Sequence, residues 1–380
     1  MTAETIFINA RIVMADEIVN GSLRVADGHI AAIDDGASTV PGAIDAAGDY
    51  LMPGLVELHT DNLEKHFTPR PGVRWPPLPA VLNHDLQIAG AGITTVFDAV
   101  SLGDVHQDSD RIANLAAMIG TVLAARELDI LRADHRLHLR CEISHEACVE
   151  YYRDLSANPL VALVSVMDHT PGQRQFVSWE RFCEFYRKQH GLDEEQFLNV
   201  QRSRLAAQAT YAGPNRRAVV ALARERGHRL ASHDDATDEH IAEAVADGVA
   251  IAEFPTTVAA ARAAHEAGLK VLMGAPNVVL GGSHSGNVSA LDLARAGLLD
   301  ILSSDYVPGA LIAAAFRLAA EAAMSLPHAV ATISRNPARA VGLDDRGAIM
   351  PGLRADLVQV QVLDALPIVR SVWRSGTRVI

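Results

Sequence analysis

An α/β fold, a closed (β/α)8 TIM-like barrel with a small β-sandwich built from both chain termini, is what this sequence predicts. Three observations lead there. Between residues 51 and 344, short apolar runs alternate eight times with helical segments, which favours a closed parallel barrel over an open sheet. Five of those runs end in His, Asp or Glu, and such groups converge only if the strands are parallel and share one mouth. Residues 1–50 and 345–380 instead alternate apolar and polar side chains, the period of half-buried strands.

The first segment opens with Phe7-Ile8-Asn9-Ala10-Arg11-Ile12-Val13 and Ser22-Leu23-Arg24-Val25, and Asp27-Gly28 supplies a hairpin turn. The last holds Ala355 to Val360 and Arg370 to Arg374 after a Pro351-Gly352 turn. Neither could bury a core alone, so pairing them into one composite domain is the simplest solution. Barrel strands are expected near 55–59, 94–98, 137–142, 162–168, 229–232, 250–253, 270–273 and 300–303, with helices such as 111–126 and 240–247 between them. No Gly-rich phosphate fingerprint follows the first strand, which weighs against a dinucleotide fold. The connection from Thr170 to Gly227 is unusually long. It reads equally as a helical cover on the barrel surface or as a lid over the mouth.

Composition narrows the function classes. Of 380 residues, 49% are hydrophobic and 21% charged, as in a core-forming globular protein. A formal net charge of −13 argues against a nucleic-acid partner, which would require a basic face. The apolar stretch 310–324 is broken by Arg317 and Glu321, so no membrane span is expected. Met1-Thr2-Ala3-Glu4 lacks the basic start of a secretory signal, and Cys141, Cys148 and Cys183 make no CxxC pair. A cytoplasmic protein with free thiols is expected. A homodimer follows only from general statistics of oligomers.

The strand ends carry the chemistry. His59-Thr60-Asp61 places two ligands at alternate positions of the first strand, hence on one face. Glu142 ends the third strand, His169 the fourth, His233 the fifth and Asp305 the eighth. A lone histidine at a strand end is an ordinary core or loop residue, but five such ends together point to a metal site. Three imidazoles with three carboxylates suit two divalent ions better than one, spaced roughly 3.5–4 Å apart. In this reading the metal ligands are His59, Asp61, Glu142, His169, His233 and Asp305, with Asp305 also the catalytic acceptor of a proton from water. His66 and His84 read as structural residues, and Glu253 as either a ligand or an orienting acid.

Directly after the first ligand pair comes a loop stiffened by prolines at 69, 71, 76 and 77, holding Lys65, Arg70 and Arg74. Guanidinium groups beside a dimetal centre suit a phosphorylated small molecule, bound in a fork. Arg174 is a further candidate clamp. The loop Gly281-Gly282-Ser283-His284-Ser285-Gly286-Asn287 offers exposed amides and small polar groups. Ser283, His284, Ser285 and Asn287 are therefore expected to bind substrate.

Pro53-Gly54-Leu55 leading into His59-Thr60-Asp61, with Ala355-Asp356-Leu357-Val358 near the end, resembles the amidohydrolase superfamily. The resemblance implies metal-dependent hydrolysis on a barrel-plus-sandwich plan. Longer runs resemble a branch of that superfamily found in the bacterial carbon–phosphorus lyase pathway. They include His59 to Lys65, His138 to Glu142, Pro171 to Gln175, Ser232 to Thr237 and Gly281 to Asn287, and they span essentially the whole chain. This similarity implies a diphosphatase of phosphonate metabolism, which hydrolyses a ribosyl methylphosphonate triphosphate to pyrophosphate and the 5-phosphate. Two departures from the superfamily pattern stand out. Asp61 replaces the second histidine of His-x-His, and Glu253 stands where the sixth strand usually offers histidine. Oxygen in place of nitrogen tilts the choice between zinc and manganese towards manganese. Two rival readings are an amidase or cyclic-amide hydrolase on the same fold, with less need of the basic loop, and a non-catalytic subunit of a phosphonate-degrading assembly.

Overall fold

The computed structural model describes residues 4–70, 72–103, 110–170, 172–174, 194–283 and 286–380. The chain begins with β1 (Glu4–Val13), β2 (Ile18–Ala26), β3 (His29–Asp35), β4 (Ile44–Asp45) and β5 (Tyr50–Pro53). Asp27 and Gly28 both take positive φ, 51° and 76°, between the paired residues Ala26 and His29. That is the geometry of a two-residue turn whose twist matches the strands it joins.

The barrel follows: β6 (Leu55–Thr60), β7 (Ile93–Leu102), β8 (Asp134–Glu142), β9 (Val161–Met167), β10 (Arg229–His233), β11 (Ile251–Glu253), β12 (Lys270–Gly274) and β13 (Ile301–Ser303). Each overlaps one of the eight expected strands. All pair in parallel and in sequence order from β6 to β13. The ring closes where Asp305 N donates to His59 O at 3.1 Å and Asp61 N donates to Asp305 O at 3.0 Å. Ala231, Ile251 and Ile301 pack in one inner cluster. Stepping by two along each strand then brings His233, Glu253 and Ser303 to the same side. Past the strand ends, Asp234, Phe254 and Asp305 adopt left-handed backbone, with φ of 58°, 53° and 54°. Such conformations cost about 1–3 kcal/mol each and concentrate at functional sites.

Helices cover the outside. Among the described residues none is long and apolar enough to cross a membrane. The expected cover or lid is described from Glu194 onward: a helix Glu194–Ala207, a π-turn Gln208–Ala212 and a helix Gly213–Arg226. Residues 175–193 lie outside the described residues. Cys141 and Cys148 are buried free thiols, and Cys183 lies outside the described residues.

The chain ends in β14 (Leu357–Leu363), β15 (Leu366–Arg374) and β16 (Thr377–Arg378), which join β1–β5 in one eight-stranded sheet. Three strand spacings separate β1 from β15 in that sheet, roughly 14 Å if it were flat. Yet the Phe7 and Trp373 rings meet edge to face at 4.9 Å. The sheet therefore curls over a core of its own, which includes Leu23, Ile30, Leu51 and Leu357. Gly54 is the passage from this sheet into the barrel. A Cβ there would come within 2.8 Å of Asp356 Cβ, so only glycine lets the chain through.

Candidate functional site

Ligand atoms of His59, Asp61 and Asp305 lie within 4.8 Å of one another, as do those of His169, His233 and Asp234. The two sets adjoin: the rings of His59 and His233 are 5.6 Å apart, and those of His233 and His169 5.4 Å. All six residues line one cavity of about 270 Å³. Residues from β6, β9, β10 and β13 and the turns that follow them thus meet at the strands' carboxyl ends, as the parallel arrangement requires.

Buried carboxylates orient two of the imidazoles. His59 Nδ1 donates to Glu253 Oε1 at 3.3 Å, which leaves Nε2 facing Asp61, 3.9 Å from its Oδ1. His169 Nδ1 donates to Glu142 Oε2 at 2.7 Å, and its Nε2 stands 3.6 Å from Asp234 Oδ2. Carboxylates behind histidine are the usual way to fix the tautomer of a metal ligand. Behind them lies a second buried layer. The Ser165 hydroxyl sits between Glu253 and His138 Nε2, and His138 Nδ1 donates to Leu58 O at 2.9 Å. Burial pushes His138 down to about 3, so this ring is neutral.

Electrostatics fit a cation. Burial, with Asp61 alongside, raises the Asp305 carboxyl above its ordinary range. Burial would lower His169, but Asp234 and Glu142 outweigh it and hold the ring at about 9. His233 Nδ1 lies 2.9 Å from Asp234 Oδ2, off the line of a hydrogen bond, and neither nitrogen of this buried ring has a hydrogen-bond partner. Orphaned buried nitrogens are costly unless something absent from the protein itself satisfies them.

The sequence model of the amidohydrolase family matches residues 204–379. The chain is also 48% identical, over 98% of its length and 99% of the relative's, to the alpha-D-ribose 1-methylphosphonate 5-triphosphate diphosphatase of Escherichia coli (strain K12). The chain belongs to the amidohydrolase family. Solved structures agree on the fold. One is N-acetyl-D-glucosamine-6-phosphate deacetylase from Mycobacterium smegmatis, with TM-score 0.64, 16% identity and 100% of each chain covered. Another is 5-methylcytosine deaminase from Klebsiella pneumoniae, with TM-score 0.66 and 15% identity over 99% of this chain and 97% of that one.

In this amidohydrolase the donor set fits divalent metal ions: three imidazoles, each with a nitrogen available, beside three carboxylates. Several expected site residues stand elsewhere. Glu142 does not line the cavity. Both its oxygens are engaged, by Ser144 Oγ at 2.6 Å and by His169. Arg174 is buried in ion pairs with Asp235 and, at 2.8 Å, with Glu243, and it lines a separate cavity. Asp235, brought in by another strand end, takes the guanidinium before substrate could. Lys65 is exposed and does not itself line the cavity, but its Nζ donates to the backbone oxygen of Tyr306, which does, and lies 5.5 Å from the Tyr306 ring centroid. Arg70 and Arg74 are exposed and do not line the cavity. Ser283 and Asn287 do line it, while His284 and Ser285 lie outside the described residues. His84 is fully buried, bonded to Asn62 and Asp98.

Two residues escaped the sequence reading. Arg140 lines the cavity and donates to Asp61 Oδ1 at 2.6 Å. Its alternation with His138 and Glu142 on β8 is the signal that could have found it. Asp234 follows His233 directly and reaches the site through its left-handed backbone, which no strand periodicity foretells.

Proposed function

We propose that this amidohydrolase hydrolyses α-D-ribose 1-methylphosphonate 5-triphosphate to α-D-ribose 1-methylphosphonate 5-phosphate and pyrophosphate in phosphonate catabolism. The observation that carries this reading is the end-to-end, 48% identity to a relative of that name. The site agrees with it, because His59, Asp61, His169, His233, Asp234 and Asp305 meet in one cavity with Arg140. We assign His59, Asp61 and Asp305 to one divalent ion and His169, His233 and Asp234 to a second, with Glu253 and Glu142 orienting the histidines. Manganese or zinc bound there would supply Lewis acidity and bring the pKa of water from about 15.7 towards 7.

The protein's own groups do the rest. Water adds to a phosphorus of the anhydride next to the ester phosphate, that P–O bond breaks, and pyrophosphate leaves. Asp305, whose carboxylate faces His59 and Asp61 in the cavity, receives the proton. Arg140 binds phosphate oxygens inside the cavity, and Lys65, beside the cavity residue Tyr306, meets the outer phosphates. Ser283 and Asn287 hold the sugar or phosphonate end. Apolar lining supplied by Phe254, which packs on the His59 and His233 rings at 4.9 and 5.3 Å, and by Met273, Leu280 and Val288, keeps bulk water from the reacting centre. Free buried thiols support a cytoplasmic setting, and a homodimer is the commonest assembly for such an enzyme.

The test is product analysis with metal-loaded and chelated protein. Pyrophosphate and the 5-phosphate should form only in the loaded sample. Ammonia or carboxylate release from amide substrates, without pyrophosphate, would instead establish an amidase.

A further inference from the structure

Glu57 has no part in the reaction described above, yet it is fully buried beneath it. Its carboxylate straddles the seam of the barrel. Oε1 accepts His59 N at 2.6 Å on its own strand, and Oε2 accepts Ser304 N at 2.5 Å just past the end of β13. That seam is unlike the others. The three barrel interfaces from β10 to β13 each hold three paired residues. Between β6 and β13, among the described residues, there is the single bridge Thr60 to Asp305. Side chains make up the difference. Ser303 Oγ donates to His59 O at 2.5 Å, and Thr60 Oγ1 donates to Asp305 O at 3.0 Å. Among the described residues, only the Glu57 carboxylate accepts amides from both sides of the seam, one residue short of Asp305 on one side and at His59 on the other.

We propose that Glu57 is a positioning residue, a carboxylate clamp that closes the barrel and sets the spacing of His59 and Asp305. The proposal rests on reading those two residues as ligands of one ion. A carboxylate is required because both partners are donors. Glutamine has the same shape but one acceptor only, so one buried N–H would face its NH2 group.

The test compares the unsubstituted protein with Glu57→Gln and with Leu163→Ala, a variant of the inner cluster on β9, which is not one of the two seam strands. Three quantities are read: metal bound per folded chain, kcat and KM for the triphosphate, and amide exchange at residues 59 and 304 in metal-free protein. Glu57→Gln should lose at least half its metal and exchange about tenfold faster or more at one of the two amides. Its kcat should fall about tenfold or more while KM stays within about twofold. Leu163→Ala should lose stability but keep its metal and its seam amides. If Glu57→Gln binds metal and exchanges like the unsubstituted protein, or loses metal only in step with Leu163→Ala, the clamp is wrong. Should Glu57→Gln not fold, exchange in the unsubstituted metal-free protein decides. Amides 59 and 304 protected like those in the strand interiors uphold the clamp, and rapid exchange at either overturns it. An unsubstituted protein that binds no metal would instead refute the ligand assignment and leave the exchange result standing.

Discussion

At Asp305 backbone and side chain have separate tasks. The amide closes the barrel on His59 O, while the carboxylate faces His59 and Asp61. Asp305→Asn keeps the backbone and the shape but removes the proposed proton acceptor. Its kcat should fall by about 10²–10⁴, read by steady-state pyrophosphate release; activity within twofold of the original would exclude this residue as the base. Arg140 and Arg70 make a second pair of predictions. Arg140 lines the cavity, whereas Arg70 is exposed outside it. Arg140→Met should lower kcat/KM for the triphosphate by about tenfold to a hundredfold, and Arg70→Ala by less than about fivefold. The reverse ranking would place the phosphate chain over the proline-rich loop. At this scale strand-end residues were readable from sequence because an apolar run announces the strand that carries them. Arg174 was not, since its partner Asp235 arrives from a different strand and nothing local reveals the pairing.

Among the elements, the helix Pro77–Gly90 is fastened to β7 and β8 by a buried polar chain. His84 Nε2 donates to Asp98 Oδ1 at 2.6 Å, His135 Nδ1 donates to Asp98 Oδ2 at 2.8 Å, and His135 Nε2 reaches Asp85 Oδ1 at 3.3 Å. Burial by itself would lower His135, but Asp98 and Asp85 on its two nitrogens hold it at about 9. A folded-state pKa above the unfolded value means the bound proton stabilises the fold. That contribution is complete below about pH 6.5 and is lost as pH rises through about 9, an effect of about 3 kcal/mol. Denaturant unfolding between pH 6 and 10 should show the loss, and His135→Asn should flatten that slope; an equal slope in the variant would assign the effect elsewhere. Although His84, Asp98 and His135 could hold an ion by distance alone, their hydrogen bonds already satisfy them. This network was invisible in the sequence, because Asp98 and His135 look like ordinary interruptions of apolar strands. By contrast, the eight strands themselves were legible, since each is a short run bounded by polar groups.

Over the whole molecule, the two chain ends were readable as strands that need each other, and they meet in one curled sheet. Its edge-to-face pair, Phe7 with Trp373, lies in a core separate from the barrel's inner cluster. Trp373→Ala should therefore cost about 3–5 kcal/mol of stability while kcat of the folded enzyme stays within about twofold. A large loss of kcat in folded protein would show that the sheet governs the site. What periodicity could not disclose was the seam between first and last barrel strands, which side chains rather than a regular ladder hold together. The proposed function needs two cation sites sharing the barrel mouth. Anomalous diffraction from crystals grown with manganese tests it most directly. Two peaks are expected, one among His59, Asp61 and Asp305 and one among His169, His233 and Asp234. No peak at either place, or a peak only among His84, Asp98 and His135, would rule out the two proposed ions.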